Sequence, residues 1–171
     1  MNIVDKIKFE EGDKASAYKC PANKWTIGAG INLEQQTMPL AVMCLWEFMG
    51  MNYGPKWMLS LFDGGEMPKN VRDMWLSVII DENEEIIESS FNSEYGVYFQ
   101  DLPDDARLVI QDMAYQMGVS GLLEFKNMLT SIDDGDYLGA AEHLLDSNYA
   151  RQTPERANRN AKLLRGCERV R

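Results

Sequence analysis

Apolar positions change period twice along the first third of the chain. Ile3, Val4 and Ile7 share one face of a 3.6-residue repeat, with Asn2 ahead of them as a cap and Gly12 behind them as a stop. That pattern predicts a short helix over 2–11. From Ala15 the spacing shortens to extended runs: SAYK, the turn PANK, and WTIGAGINL. Pro21, Asn23 and the glycines are turn and bulge residues, so a small β-hairpin sheet is expected here. Helical spacing returns from Met38 to Phe62, interrupted by NYGP, and resumes as one long helix from about Pro68 to Phe91, with proline at its start. Beyond the aromatic-rich loop NSEYGVYFQDLP, helices are expected over 104–117, 121–132, 136–147 and 154–165, with breaks at Asp133-Asp134-Gly135 and Gln152-Thr153-Pro154.

This order of elements describes an α+β protein. A lobe over 1–67 carries the sheet, a connecting helix covers 68–92, and a helical lobe covers 93–171, all within one domain. A cleft between two such lobes is where a ligand would sit. With 171 residues the chain can bury a proper interior, and 45% hydrophobic with 26% charged is an ordinary globular balance.

The net charge of −10 argues against nucleic-acid binding. It is unevenly spread. Residues 1–150 hold ten Lys and Arg against 25 Asp and Glu, whereas residues 151–171 hold seven basic residues against Glu155 and Glu168. The stretch from Met38 to Phe62 is greasy, but Glu47, Lys56 and Pro55 interrupt it. It falls short of the ~20 apolar residues a spanning helix requires, so no stable membrane insertion is expected. Its Met38, Met43, Met49, Met51, Met58, Trp46 and Trp57 could form an exposed patch, though such residues are more often core. MNIVDKIKFEEG has charges where a secretory leader needs an apolar run, which predicts a cytoplasmic product. Three cysteines (Cys20, Cys44, Cys167) and one histidine (His143), without a CxxC, leave little for a metal, and no cofactor is expected.

The chemistry concentrates between Glu11 and Thr26. Glu11 closes the first helix, where the dipole places partial negative charge beside its carboxyl and favours the protonated form a general acid needs. Read alone, Glu10 and Glu11 could equally be solvated helix-end charges. Cys20 and Thr26 flank the turn, so a hairpin brings a thiol and a hydroxyl within reach of one another, able to hold a water between them. Singly, Cys20 reads as a small buried hydrophobe and Thr26 as a strand former.

Their combination says more. Glu11, eight residues, Cys20, five residues, Thr26 resembles the signature of the phage-type lysozymes, glycoside hydrolase family 24, in which the middle position is Asp or Cys. EEG, AYK and TIGAG stand in register with that family, and MAYQMGVSGLLEFKNML and SNYARQTPERA are similar to its helical-lobe segments. Residues 1–33 and 104–166 carry the likeness; 34–67 diverges. Two positions depart from the common pattern. Ile31 stands where a histidine is usual, which removes a structural ion pair, and Cys20 takes the place of the commoner aspartate.

The resemblance implies a lysozyme-like fold and a muramidase. Such an enzyme cleaves β-1,4 links between N-acetylmuramic acid and N-acetylglucosamine in peptidoglycan and so lyses a host cell. It implies Glu11 as proton donor, with Cys20 and Thr26 orienting a water or stabilising the sugar cation. A thiolate at position 20 could act as base or attack the sugar directly. Asn32, Tyr115, Gln116 and His143 fall at substrate-lining positions, and Arg156 falls where the family sets an arginine near the catalytic glutamate. Tyr115 could also be core, and His143 or Arg156 a surface charge. Met128 replaces a small polar residue, so that contact is not carried over. The resemblance further implies a monomer without cofactor that reaches periplasmic peptidoglycan from the host cytoplasm, with a holin as the candidate route of export. A competing reading is a catalytically impaired relative that binds peptidoglycan or regulates lysis.

Overall fold

The computed structural model describes residues 2–34, 37–49, 60–61 and 63–167. The chain divides into two compact units, Met1–Asp81 and Glu82–Arg171. The division falls inside one long helix.

In the first unit, helix α1 (Ile3–Glu11) begins where Asn2 caps it, the side chain accepting the Asp5 N–H at 2.8 Å. That bond satisfies one of the amides a helix start leaves over. Gly12 ends it at φ +79°, in the left-handed region that side chains resist, and returns its N–H to Lys8 O at 2.9 Å. Ile7 is fully buried. Lys6 is buried as well, its ammonium 3.4 Å from Glu10 Oε1, whose side chain is also buried. Glu10 is therefore an ion-paired interior residue, not the solvated helix-end charge that its position allowed.

Strands β1 (Lys14–Lys19), β2 (Trp25–Gly28) and β3 (Ile31–Asn32) form one antiparallel sheet in chain order. Lys19 pairs with Trp25 and Tyr18 with Thr26, but the next pairing is Lys14 with Gly28. Four steps along β1 thus face two along β2, a bulge. Ile27 and Ile31 are cross-strand partners and both are buried. At Gly28 (φ +59°) a Cβ would lie 3.5 Å from Arg72 Cδ and 3.7 Å from Asp13 Oδ1 and Ile31 Cδ1. Arg72 holds Asp13 from Nε at 2.7 Å and from Nη2 at 3.1 Å, and that hydrogen bond keeps the Asp13 carboxyl below the usual range despite partial burial. An ion pair thus sits close beside Ile31, although Ile31 itself cannot form one.

Helix α2 (Leu40–Phe48) buries Val42 and Trp46 and exposes Leu40 and Phe48. Of the methionine and tryptophan positions, Met38 and Trp46 are interior and Met49 is exposed; Met51, Trp57, Met58 and the NYGP interruption lie outside the described residues. Helix α3 (Lys69–Glu94) follows Pro68 and continues past the expected end at Phe91.

In the second unit, a 3₁₀ turn at Phe99–Asp101 leads to α4 (Asp104–Met117), α5 (Val119–Leu123), α6 (Lys126–Asp133), α7 (Tyr137–Leu145), α8 (Asn148–Gln152) and α9 (Pro154–Gly166). The helix expected over 121–132 is two helices, broken at Glu124–Phe125, where the Phe125 N–H turns back to Leu122 O at 3.0 Å. The one expected over 136–147 stops at Leu145, because Ser147 caps a new helix by accepting the Ala150 N–H at 3.1 Å. Phe91, Phe99, Ile110, Met113, Leu129, Leu144 and Leu164 belong to one apolar core. Among the described residues no helix is long and apolar enough to cross a membrane.

Candidate active site

The turn between β1 and β2 lies between two of the candidate residues, Cys20 and Thr26. Asn23 donates its N–H to Cys20 O at 2.8 Å, closing a β-turn with Pro21 at its second position, where the ring's fixed φ fits. Asn23 itself sits at φ +58°, which asparagine tolerates better than most side chains. Cys20 then donates its N–H to Lys24 O at 3.0 Å. With Lys19 paired to Trp25 and Tyr18 to Thr26, Cys20 and Thr26 stand on either side of one short loop. The hairpin expected from the sequence is there.

Cys20 is half-buried and its thiol titrates below the usual 9.0. The largest cause is a backbone hydrogen bond from Lys24; a smaller burial cost opposes it, and the Thr26 hydroxyl and the N–H groups of Ala22 and Cys20 add to the lowering. Donors of this kind stabilise the anion and not the thiol. Thr26 is buried and donates to Lys24 O at 3.0 Å. Its single proton can instead rotate to an ionised sulfur, since a hydroxyl has one donor and a free rotor.

Tyr18 is a residue that the sequence reading passed over. Its phenol is pushed up first by burial, then by the negative charge of Glu11, then by that of Cys20, so Glu11, Tyr18 and Cys20 occupy one neighbourhood. The signal was available: Tyr18 lies two residues before Cys20, and residues two apart in a strand share a face. Lys14 Nζ stands 4.1 Å from the Tyr18 ring centroid. The first unit therefore gathers a carboxyl, a thiol, a hydroxyl and a phenol. That set can donate a proton from one side and hold or deprotonate a water on another. Asn32 is half-buried, and its Oδ1 accepts the Glu34 N–H at 2.9 Å.

The other candidate residues lie in the second unit. Tyr115 and Gln116, near the end of α4, are half-buried. Gln116 Oε1 is shielded from solvent with no hydrogen-bond partner among the described residues, an acceptor in want of a donor. His143, in the last turn of α7, lines a cavity of about 420 Å³ with Phe125, Met128, Asp146, Asn148 and Tyr149. Arg156 is buried and is not a surface charge of the basic tail. It holds fully buried Asp112 from Nε at 3.1 Å and Nη2 at 2.9 Å. Asn160 adds a third bond to the same carboxylate at 2.8 Å. Among the described residues no group of three His, Cys, Asp or Glu side chains could hold a metal ion.

A small three-stranded antiparallel sheet, a largely helical remainder and the Glu11–Cys20–Thr26 spacing define a lysozyme-like α+β protein. No family model matches the chain. It is 26% identical over 159 residues to probable T4-type lysozyme 1 of Dictyostelium discoideum, covering 92% of this chain and 90% of that protein. Probable T4-type lysozyme 2 of the same organism is 24% identical over 163 residues, with the same coverage. The pre-baseplate central spike protein Gp5 of Enterobacteria phage T4 is 35% identical over 68 residues, 40% of this chain and 12% of that protein. Over nine-tenths of its length the chain is thus similar to proteins named T4-type lysozymes.

Proposed function

We propose that this protein hydrolyses the β-1,4 link between N-acetylmuramic acid and N-acetylglucosamine in bacterial peptidoglycan. Glu11 gives its proton to the leaving glycosidic oxygen. A water held by Cys20 and Thr26 attacks the anomeric carbon from the other face and passes its proton to the Cys20 thiolate, so the configuration inverts. The protein works on periplasmic peptidoglycan after leaving the cytoplasm of a host cell, and its action ends in lysis.

The observation that carries this reading is the thiol of Cys20, held on a tight turn among N–H donors, with its charge and that of Glu11 both felt by Tyr18. Kinship with proteins named T4-type lysozymes supports peptidoglycan as the substrate. The test is turbidity loss of outer-membrane-stripped Gram-negative cells, with Glu11→Gln as control. An amide cannot act as the acid, and general acid catalysis contributes about 10²–10⁴-fold. The parent should clear the suspension and release α-configured reducing ends, while the folded variant should be slower by that order. Clearance by Glu11→Gln at the parent rate would overturn the assignment. Sedimentation with intact sacculi without clearance by the parent would leave a binding protein instead.

A further inference from the structure

The end of the hairpin is tied down by one carboxylate. Glu34, just beyond β3, accepts the Trp25 N–H at 2.9 Å and the Lys19 ammonium at 3.2 Å, both on Oε1. Its other oxygen is 3.2 Å from the Lys24 ammonium. Lys19 in turn donates to Asn23 O at 3.1 Å and lies 4.5 Å from the centroid of the Trp25 ring. These partners bracket the loop Cys20–Asn23 from both strands and from its own left-handed residue. The carboxylate is itself oriented, because Asn32 Oδ1 accepts the Glu34 N–H. We infer that Glu34 is the positioning residue for Cys20: it clamps Lys19, Lys24 and Trp25 and so fixes the turn, closed by the Cys20 N–H to Lys24 O and the Asn23 N–H to Cys20 O, that carries the sulfur.

An isolated exposed ion pair is worth little. Here one carboxylate takes two ammonium groups and a backbone N–H, and those bonds hold its titration down to about 2, the Trp25 N–H foremost. At every pH where the thiol titrates, the clamp is charged and closed. Sequence pattern gives no hint of this role, since Glu34 sits in the divergent stretch and matches no motif.

The inference rests on Cys20 working as a thiolate in the reading above, but its test does not need cell walls. The titratable and charged groups around the turn are Tyr18, which feels both Glu11 and Cys20, and Lys19, Lys24 and Glu34, joined to one another at its base. Removing Glu34 therefore has two opposite effects. Loss of a nearby negative charge, with Lys19 and Lys24 released, would lower the thiol's titration point and speed its alkylation. Loss of the clamp would loosen the N–H cradle, raise it and slow alkylation.

Iodoacetamide modification of Cys20 should be followed against pH in the folded protein with Cys44 and Cys167 changed to Ser, its fold checked by circular dichroism. In that background Glu34→Ala should alkylate about threefold to tenfold more slowly at neutral pH, the profile moving to higher pH, because a tenfold change in thiolate fraction is one pKa unit. Glu34→Gln, which keeps an acceptor for the Trp25 N–H without the charge, should lie between the two. An alkylation rate equal to the parent's or faster in folded Glu34→Ala would overturn the inference. Inactivity of the parent on cell walls would sink the hydrolase reading and leave this one standing.

Discussion

Cys20 and Cys167 are the same side chain in two opposed settings. Cys20 stands on a turn in the first unit, where N–H groups and a hydroxyl bring its thiol below 9.0. Cys167 follows α9 in the second unit, packed against the apolar core, where burial and then Asp105 push its thiol up to about 11. The charges repeat the contrast. Glu34 works at the surface with several partners of modest worth, whereas Asp112 and Arg156 are shut inside the helical unit with their partners fixed. One unit spends polar groups on holding a reactive atom in place; the other uses them to close a core. The lesson is that a cysteine's chemistry here follows from which backbone donors surround it.

The largest effect should come from breaking the buried pair. Asp112→Ala removes the buried carboxylate that holds both Arg156 and Asn160, and breaking such a buried pair costs about 3–5 kcal/mol. Urea or thermal melts measure it. A loss below about 1 kcal/mol would mean that water reaches Arg156 and that the two settings differ less than the geometry says.

Next comes the reactive thiol. Cys20→Ala removes both base and charge and should cut the muralytic rate by about 100-fold. Cys20→Asp restores an anion and should retain most of it. Its acid-side limb should move to lower pH, because a carboxylate is ionised far below any thiol. If the Ala variant lyses cells like the parent, the sulfur only fills space and Thr26 holds the water without it.

The smallest effect separates the two thiols by sign. Cys167 has a folded value above its unfolded 9.0, so the folded state holds its proton longer and stability should fall as pH rises from about 9 to about 11. Cys20 is depressed, so its contribution should increase as pH rises through its folded value towards 9.0. Melting temperatures across that alkaline range, for the parent and for Cys167→Ala, check the first. Parallel curves would remove the difference.

Much of the fold was legible because local signals agreed. The Asn2 cap, the Gly12 stop and the Pro21–Asn23 turn act within a few residues, and the 8-and-5 spacing set Cys20 and Thr26 across one loop. The break at Glu124–Phe125 was not legible: LLEFK contains no proline or glycine, and the neighbouring helical signal ran straight through it. Asp112 and Arg156 meet 44 residues apart along the chain, and no periodicity reports that. Glu34 escaped for a related reason. Its partners are distributed over β1, the turn and β2, so its role exists only once the hairpin is formed.

The bulge in β1 bears on which lengths of chain this hairpin can tolerate. Between Lys14 and Tyr18 the strand already carries more residues than its partner matches, so a residue gained or lost there alters a stretch that is out of step in any case. Between Cys20 and Thr26 there is no such slack. One residue more would turn Thr26 to the opposite face of the sheet, because side chains alternate at every step. Insertions in relatives of this protein should therefore collect at Ala15–Ala17 and be absent from the turn, however freely the turn's residues vary in kind.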